Sequence, residues 1–395
     1  MTTYLNIRFA FTLSRRIRTS AHPLLSTTAH MKFPLKDRTP FQIASQRMST
    51  NAAKIPVIDI SAPDVDQKDV ARQLVDAAEE HGFIYIRNLG RDISAADIDG
   101  AFELTKKTFE CPVEEKQRCT IQTNNRGWSG MHSETLDPKN QKVGDFKEAF
   151  NFGEFVNGKA QQPLPSDLVP HEPQISAFAD SCHNLCQKLL YLLGLGLGVD
   201  DFFSSAHNTA KGASSSILRF LRYPPPDTTA HSASDVRAGA HSDYGSITLL
   251  FRLRGQAGLE LLTKDDVWAP VPVCPPGTED DPSPPVLINI GDLLSYWTNG
   301  LFRSTLHRVV FPTEGTVGVA GETSAGPRYS IAYFCHPVGT APLEPVPSER
   351  VKDFVPSDGG APSANPYATS KVMTADEHLF MRLKESYGDL YDKKS

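Results

Sequence analysis

Hydrophobic positions divide the chain into a mixed α/β first half and a strand-rich second half. In residues 67–82 and 94–112 the apolar side chains recur at helical spacing, which predicts two amphipathic helices. Between them, FIYIRN (83–88) predicts a strand that is buried on at least one face. IPVIDIS (55–61) predicts a short strand before the first helix, and an apolar pattern over 174–195 predicts a long helix.

The pattern changes after Ser216, where short apolar segments alternate with breaks rich in proline and glycine. These segments are ILRFLRY, SITLLFRLR, LELLT, WAPVPV, VLINIGDLLSYW, TLHRVVFP and RYSIAYFCHP. Many short strands joined by frequent turns are typical of a sandwich or a jelly roll. NNRGWSGMHSE (124–134) predicts a loop, and the proline- and serine-rich stretch 356–366 predicts a linker before a C-terminal helix.

These patterns predict five segments along the chain. They are an extension over 1–54, an α/β portion over 55–180, a supporting helix and connector over 181–215, a strand-rich core over 216–345, and a linker with a C-terminal helix over 346–395.

Charge and composition narrow the range of partners. The formal net charge is −6, and we find no basic patch that would indicate binding to nucleic acid or to a membrane surface. The longest apolar run, over residues 189–199, is too short to cross a bilayer. We therefore expect a small-molecule partner, and the sequence indicates no protein partner.

Two further features bear on location. The six cysteines form no C-x-x-C pair, which favours reduced thiols in an intracellular protein. No acidic residue precedes Asp37, while arginine, serine and threonine are frequent there, as in a mitochondrial presequence. The alternatives are an unstructured tail or an extension upstream of a start at Met48. We favour a cytosolic location, with import into mitochondria as the alternative.

The segment HSDYGSITLLF (241–251) places two metal-binding residue types at the start of an apolar strand. Because strand side chains alternate between faces, His241 and Asp243 point the same way. Two histidines and one carboxylate form the facial triad that holds ferrous iron with open coordination positions. STLHRVV supplies His307 as the candidate third ligand. Taken singly, each of these residues is also compatible with a hydrogen-bonded residue of the core or its rim.

A second pair with the same spacing occurs in PRYSIAYF. Arg328 and Ser330 share a strand face, and an arginine with a serine hydroxyl can bind a carboxylate through several hydrogen bonds. The alternative is a surface arginine. An unpaired arginine in this apolar run would be costly, however, so we favour a binding role.

The order of these motifs resembles the iron(II)- and 2-oxoglutarate-dependent dioxygenases, and within them the isopenicillin N synthase-like branch. The likeness covers most of residues 55–345 and includes HGFIYIRN, DFKEAFNFG, LRFLRYPP, HSDYGSITLL, NIGDLLSYWTNG, STLHRVV and RYSIAYF in family order. A local likeness to fungal thymine 7-hydroxylase-like members is also visible. The resemblance implies a mostly β fold, in which helices and an N-terminal α/β portion flank a double-stranded β-helix, or jelly roll.

The resemblance also implies a reaction and its cofactors. Fe(II) would bind to the triad, 2-oxoglutarate would be the co-substrate with its far carboxylate on Arg328 and Ser330, and dioxygen would be the oxidant. Oxidative decarboxylation of 2-oxoglutarate would then drive hydroxylation or another C–H oxidation of a small metabolite. Tyr223 matches a tyrosine that often helps bind 2-oxoglutarate, although it is equally interpretable as a strand-end aromatic. The alternatives are an oxidase of the same fold that does not use 2-oxoglutarate, and a non-catalytic jelly-roll binding module.

Two positions depart from the family pattern. Arg328 follows His307 by 21 residues, a longer gap than the family usually has, and 313–326 is interpreted as an insertion in the intervening hairpin. Many relatives have asparagine where Leu221 stands.

Four residues are candidates for substrate contacts. Arg237 could reach over the open coordination positions, and Phe334 shares a strand face with Ser330. Together they would suit a small planar or anionic substrate. Arg126 and Trp128 in NNRGWSG are the other two candidates. The alternative is that Phe334 packs in the core and that Arg237 pairs with a surface carboxylate.

Overall fold

Two β-sheets and a layer of helices make up the part of the chain that the structure, a computed structural model, describes: residues 52–225, 235–311, 326–355 and 372–391, with side chains as far as 384. The strands are β1 (Val57–Ile58), β2 (Phe83–Ile86), β3 (Gly127–Ser129), β4 (Glu148–Phe152), β5 (Ile217–Tyr223), β6 (Ala238–His241), β7 (Ile247–Arg252), β8 (Leu259–Leu262), β9 (Trp268–Pro270), β10 (Val286–Ile290), β11 (His307–Val309) and β12 (Arg328–Cys335). The α-helices are α1 (Gln67–Glu80), α2 (Ala95–Glu110), α3 (Val113–Arg118), α4 (Glu172–Leu197), α5 (Phe202–Ala206), α6 (Asp292–Trp297), α7 (Glu349–Lys352) and α8 (Ala375–Tyr391).

The larger sheet has eight strands in the order β1-β2-β10-β7-β12-β5-β4-β3, and the smaller has four in the order β6-β11-β8-β9. Apart from the parallel pair β1–β2, every strand pairing in both sheets is antiparallel. This arrangement positions the site, because strands distant in sequence become neighbours. β12, for example, lies between β5 and β7.

Each face of the larger sheet contributes to a different apolar cluster. The outer cluster joins helices α1, α2 and α4 to strand residues such as Phe220, Leu249 and Ile331. The inner cluster contains Leu221 and Leu287 of the larger sheet together with Leu261 of the smaller one and so joins the two sheets. Alternation of side chains along each strand produces this division.

The long helix α4 supports the outer face, and its glycines explain how it does so. Gly196 lies against α1, where a Cβ atom would come within 2.5 Å of the Ala71 carbonyl oxygen. Only a residue without a side chain permits that approach. The helix ends at Gly198, whose φ of 72° is the left-handed conformation typical of a helix C-terminus.

The predicted helices over 67–82 and 94–112 are confirmed, as is the long helix, which runs slightly beyond 174–195 at both ends. Two local predictions are wrong. VLINIGDLLSYW is not one strand, because helix α6 begins at Asp292 after the turn at Gly291. The predicted loop over 124–134 contains the short strand β3, which is held by pairing with β4 rather than by its own pattern.

Several expectations fall outside the described residues, including the extension as far as residue 51, most of 313–326, and the linker 356–366. All six cysteines are free thiols. Within the described part of the chain, no helix has both the length and the hydropathy needed to cross a membrane.

Candidate active site

The two predicted histidines and the aspartate meet at the edge of the smaller sheet. His241 ends β6, His307 begins β11, and the two residues are directly paired in antiparallel register. Asp243 follows β6, and its Oδ1 lies 3.8 Å from the Nε2 atom of each histidine. One potential ligand atom from each of the three residues lies within 4.8 Å of the others. The structure therefore brings together the three residues that the sequence singled out.

Hydrogen bonds to the backbone orient both imidazoles. His241 Nδ1 lies 2.7 Å from the Gly239 carbonyl oxygen, and His307 Nδ1 lies 3.1 Å from that of Thr305. A carbonyl only accepts, so Nδ1 carries the proton in both rings and the lone pair is on Nε2. The Phe83 ring packs edge-on against His307, with 5.5 Å between the centroids. Both Nε2 atoms are thus prepared to bind a metal beside Asp243.

Two further side chains fix the carboxylate. Thr248 Oγ1 and Asn289 Nδ2 each donate a hydrogen bond of 2.7 Å to Asp243 Oδ2. These bonds occupy one oxygen and leave Oδ1 facing the histidines. Sequence reasoning did not identify either residue as part of the site. The available signal was a lone polar residue in each of two apolar runs, ITLLF and VLINI.

The electrostatics keep His241 and Asp243 in the protonation states that a metal requires. Burial first, and then the neighbouring His307, lower the pKa of His241 to about 4. Burial raises the pKa of Asp243, but the two histidines and the two hydrogen bonds outweigh it, so the pKa lies below its ordinary value. Neutral imidazole and ionised carboxylate are the forms that ligate metals. Two histidine nitrogens and one carboxylate oxygen on the same side of a metal position form a ligand set that suits ferrous iron.

Arg328 and Ser330 lie on the same inner face, on β12. Arg328 is 2% exposed, and its Nη1 donates to Ser330 Oγ at 3.4 Å. Its Nε donates to the Gln256 carbonyl oxygen at 3.3 Å. Tyr223 is the register partner of Arg328 on β5, and the guanidinium carbon lies 4.8 Å from the tyrosine ring centroid. The structure therefore brings the three predicted co-substrate residues together.

Phe334 and Arg237 occupy different parts of the interior. Phe334 is half-buried against the inner cluster and faces Thr248 in the register of β12 and β7. Because Thr248 bonds to Asp243, Phe334 lies toward the triad end of the sheet. Arg237 is fully buried, and its Nη2 donates to the Pro224 carbonyl oxygen at 3.0 Å. The alternative in which Arg237 pairs with a surface carboxylate is therefore wrong.

Trp128 and Arg126 are not joined to the triad by any contact in the described residues. Trp128 packs against the outer cluster, and its indole nitrogen donates to Glu148 Oε2 at 3.1 Å. Its partner in register, Phe150, also belongs to the outer cluster, so the indole lies on the face away from the inner residues. The guanidinium of Arg126 lies against Gly153.

The structure also shows inner-face charges that the sequence reasoning did not use. Lys147 forms ion pairs with Asp145 and Glu134, and Arg219 pairs with Glu134. Asp145 Oδ1 accepts a hydrogen bond of 3.0 Å from the Gly239 amide, and the Gly239 carbonyl orients His241. Asp145 and Lys147 belong to DFKEAFNFG, so this segment supports the backbone that positions a triad histidine.

A facial triad of two histidines and one carboxylate with open coordination positions is typical of the non-haem iron(II) oxygenases. The profile of the 2OG-Fe(II) oxygenase superfamily matches residues 214–337, and the profile described as non-haem dioxygenase in morphine synthesis N-terminal matches residues 55–172. The match over residues 214–337 contains the triad, Arg328 and Ser330.

Individual relatives extend the likeness over most of the chain. The UPF0676 protein of Schizosaccharomyces pombe is 36% identical over 343 residues, which are 85% of this chain and 93% of that protein. The 2-oxoglutarate-dependent dioxygenase gloF of Glarea lozoyensis is 32% identical over 272 residues, covering 65% of this chain and 78% of gloF. A full-length protein of Neurospora crassa, crystallised in complex with alpha-KG (2-oxoglutarate), is 28% identical, with a TM-score of 0.66, and the match covers 86% of this chain and 99% of that one.

The chain belongs to the 2OG-Fe(II) oxygenase superfamily, in its isopenicillin N synthase-like branch. It is an Fe(II)- and 2-oxoglutarate-dependent dioxygenase with a jelly-roll core, and its cofactors are Fe(II), 2-oxoglutarate and dioxygen. The prediction made from motif order is thereby confirmed. The non-catalytic module and the oxidase without 2-oxoglutarate are not favoured by these relatives.

Proposed function

We propose that the protein oxidises a C–H bond of a small, flat, polar metabolite, with 2-oxoglutarate as the co-substrate. The observation that carries this proposal is the position of Phe334. Its ring is partly exposed on the inner face, beside the threonine that bonds to Asp243. An aromatic face at that place can stack on a planar molecule held near the metal.

The solved relatives support this substrate class. The same Neurospora crassa protein has been crystallised with alpha-KG and thymine (27% identity, TM-score 0.66), and also with 5-formyluracil. Another relative is named homoarginine-6-hydroxylase, from Oryza sativa, and is 29% identical. Small substrates are therefore common to these relatives, while their chemistry varies.

Different residues of this chain would bind the metal and the co-substrate. His241, His307 and Asp243 would hold Fe(II), which when bound supplies the centre at which dioxygen is reduced. Thr248 and Asn289 keep Asp243 ionised and aimed at that centre. At the other end of the inner face Arg328 and Ser330 would bind the far carboxylate of 2-oxoglutarate. The apolar residues of the inner cluster would help to exclude water from the reaction.

The test begins with an anaerobic titration of the protein with Fe(II) and then 2-oxoglutarate, followed through their visible charge-transfer band. Planar polar metabolites, including pyrimidines and purines, are then screened for stimulation of succinate release in air. A compound of this class that raises succinate release and is itself oxidised supports the proposal. Stimulation only by flexible, non-planar compounds would contradict it.

Phe334→Leu sharpens this test, because leucine keeps apolar volume but has no aromatic face. We expect the KM for a planar substrate to rise about two- to tenfold, since stacking is worth about 0.5–1.5 kcal/mol. The matched control is Tyr333→Phe on the outer face of the same strand, which should leave the KM unchanged. An unchanged KM in the leucine variant would assign Phe334 to packing alone.

A further inference from the structure

Arg237 is a buried cation that has few hydrogen-bond partners among the described residues. It is 0% exposed, and its Nη2 donates to the Pro224 carbonyl oxygen. Among the described residues, Nε and Nη1 have no hydrogen-bond partner, although both are buried. Burial of a charge without a partner costs several kcal/mol or more, so this arrangement calls for an anion.

The residues around Arg237 indicate where such an anion would bind. Pro224 directly follows Tyr223, the residue whose ring lies against the Arg328 guanidinium. Arg237 is therefore anchored beside the tyrosine that Arg328 contacts. The Arg237 guanidinium carbon also lies 5.2 Å from the Phe311 ring centroid. Arg237 directly precedes a strand of the smaller sheet and Arg328 begins a strand of the larger one, yet the two converge on Tyr223.

The electrostatics agree with this placement. Burial first, and then repulsion by Arg328, lower the pKa of Arg237 to about 10, while Tyr223 raises it. None of the triad residues is among the groups that shift it. Two like charges that repel each other in a buried site are stabilised when a carboxylate binds between them.

We propose that Arg237 is a second arginine of the 2-oxoglutarate site and that it binds the far carboxylate together with Arg328. Its orphan Nε and Nη1 groups donate to that carboxylate, and its bond to Pro224 and its contact with Phe311 hold it in place. This proposal assigns Arg237 to binding of the co-substrate. The sequence had instead suggested that Arg237 contacts the metabolite. The inference rests on the use of 2-oxoglutarate, and its test separates the two.

The experiment compares the full-length wild type with Arg237→Gln, which removes the charge but keeps a polar side chain. Each protein is loaded anaerobically with Fe(II) and titrated with 2-oxoglutarate through the visible band. Thermal unfolding is measured with and without 2-oxoglutarate. 2-Oxovalerate, which keeps the 2-oxo acid head but lacks the far carboxylate, is titrated in parallel. Arg237→Lys tests rescue by a charge without the planar fork.

Arg222→Gln is the matched control. Arg222 is adjacent to Tyr223 on β5 but points to the opposite face, where Nη1 bonds to Glu148 Oε1 at 2.9 Å. Its loss should leave 2-oxoglutarate binding unchanged.

We expect Arg237→Gln to weaken 2-oxoglutarate binding roughly tenfold to a hundredfold, since it removes hydrogen bonds to a charged group. Fe(II) binding and 2-oxovalerate binding should not change, and Arg237→Lys should restore part of the loss. Without 2-oxoglutarate the variant should unfold at no lower temperature than the wild type, because an unpaired buried charge has been removed. The stabilisation by 2-oxoglutarate should shrink.

Three results would overturn the inference. If Arg237→Gln binds 2-oxoglutarate like the wild type but loses succinate release stimulated by the metabolite, Arg237 belongs to the substrate pocket. If it unfolds at a lower temperature by the same amount with and without 2-oxoglutarate, Arg237 is only part of the scaffold. If the wild type shows no band that depends on 2-oxoglutarate, the inference fails together with the function on which it rests.

Discussion

The two faces of β12 differ in what their side chains are for. The outward residues Tyr329, Ile331, Tyr333 and Cys335 all pack into the outer cluster beneath the helices. The inward positions alternate with them and include Arg328, Ser330 and Phe334. One strand thus combines a face built for stability with a face built for ligands. β7 repeats this division, with Leu249 and Phe251 outward and Thr248 inward.

The physical reason lies in the cost of burial. On the outer face, apolar groups gain free energy by leaving water, and they need no hydrogen-bond partner once they are buried. On the inner face, polar groups are buried and therefore need partners. Some find them within the protein, as Asp243 does with Thr248 and Asn289. Others, such as Arg237, keep N–H groups without partners among the described residues. Substitutions on the two faces should therefore change different properties.

The largest effect is expected at the triad. Asp243→Ala removes the only carboxylate of the three ligands, so turnover that depends on Fe(II) should fall at least a thousandfold, to background. The outer cluster does not include Asp243, and the fold should persist by circular dichroism. Succinate release with excess Fe(II) measures the activity. Retention of wild-type turnover by a folded variant would contradict the assignment of the metal site.

Substitutions of the adjacent residues Ile331 and Ser330 allow a direct comparison of the two faces of β12. Ile331 is fully buried in the outer cluster, so Ile331→Ala should lower the free energy of unfolding by about 2–5 kcal/mol. Ser330→Ala should change it by less than about 1.5 kcal/mol but weaken 2-oxoglutarate binding. Chemical denaturation and the anaerobic titration measure the two quantities. The comparison fails if both variants lose stability equally and bind 2-oxoglutarate equally well.

A smaller effect is expected where a residue acts through a ligand. Asn289→Ala removes one of the two donors to Asp243 Oδ2 and leaves Thr248 in place. Loss of such a partner typically costs about 10- to 100-fold in metal affinity. Fe(II) binding should weaken by that factor, as measured by anaerobic competition with a chelator. Unchanged Fe(II) affinity would show that Thr248 alone fixes the carboxylate.

The smallest effect is expected for a change that keeps the charge. Arg328→Lys retains a cation on the inner face but loses the planar fork that matches a carboxylate. Affinity for 2-oxoglutarate should fall about tenfold, roughly the worth of one such bond, while Fe(II) binding stays constant. The anaerobic band again provides the measurement. Equal affinity in the lysine variant would mean that charge alone, not geometry, recognises the co-substrate.

Short-range patterns made much of this site predictable. Period-two spacing correctly placed Arg328, Ser330 and Phe334 on one face, because β12 is regular along its length. It also placed His241 and Asp243 together, and motif order supplied His307. Asn289 was not identified, because one polar residue in the buried run VLINI does not show which distant group it meets. Local spacing does not show which way Trp128 points, because the face that its side chain uses depends on the pairing of β3 with β4.

The sequence by itself determined the residue types of the triad, their order, and the alternation that gives each strand a polar and an apolar face. Only the tertiary structure decided where Arg237 points. Counting back by twos from His241 puts Arg237 on the same face, but β6 and β11 shift register between the pairs His241–His307 and Ala238–Val309. Such an irregularity breaks the alternation, and it arises from pairing with a strand distant in sequence. Arg237 lies beyond this irregularity, and its hydrogen bond to the Pro224 carbonyl anchors it beside Tyr223, a position that local spacing does not encode.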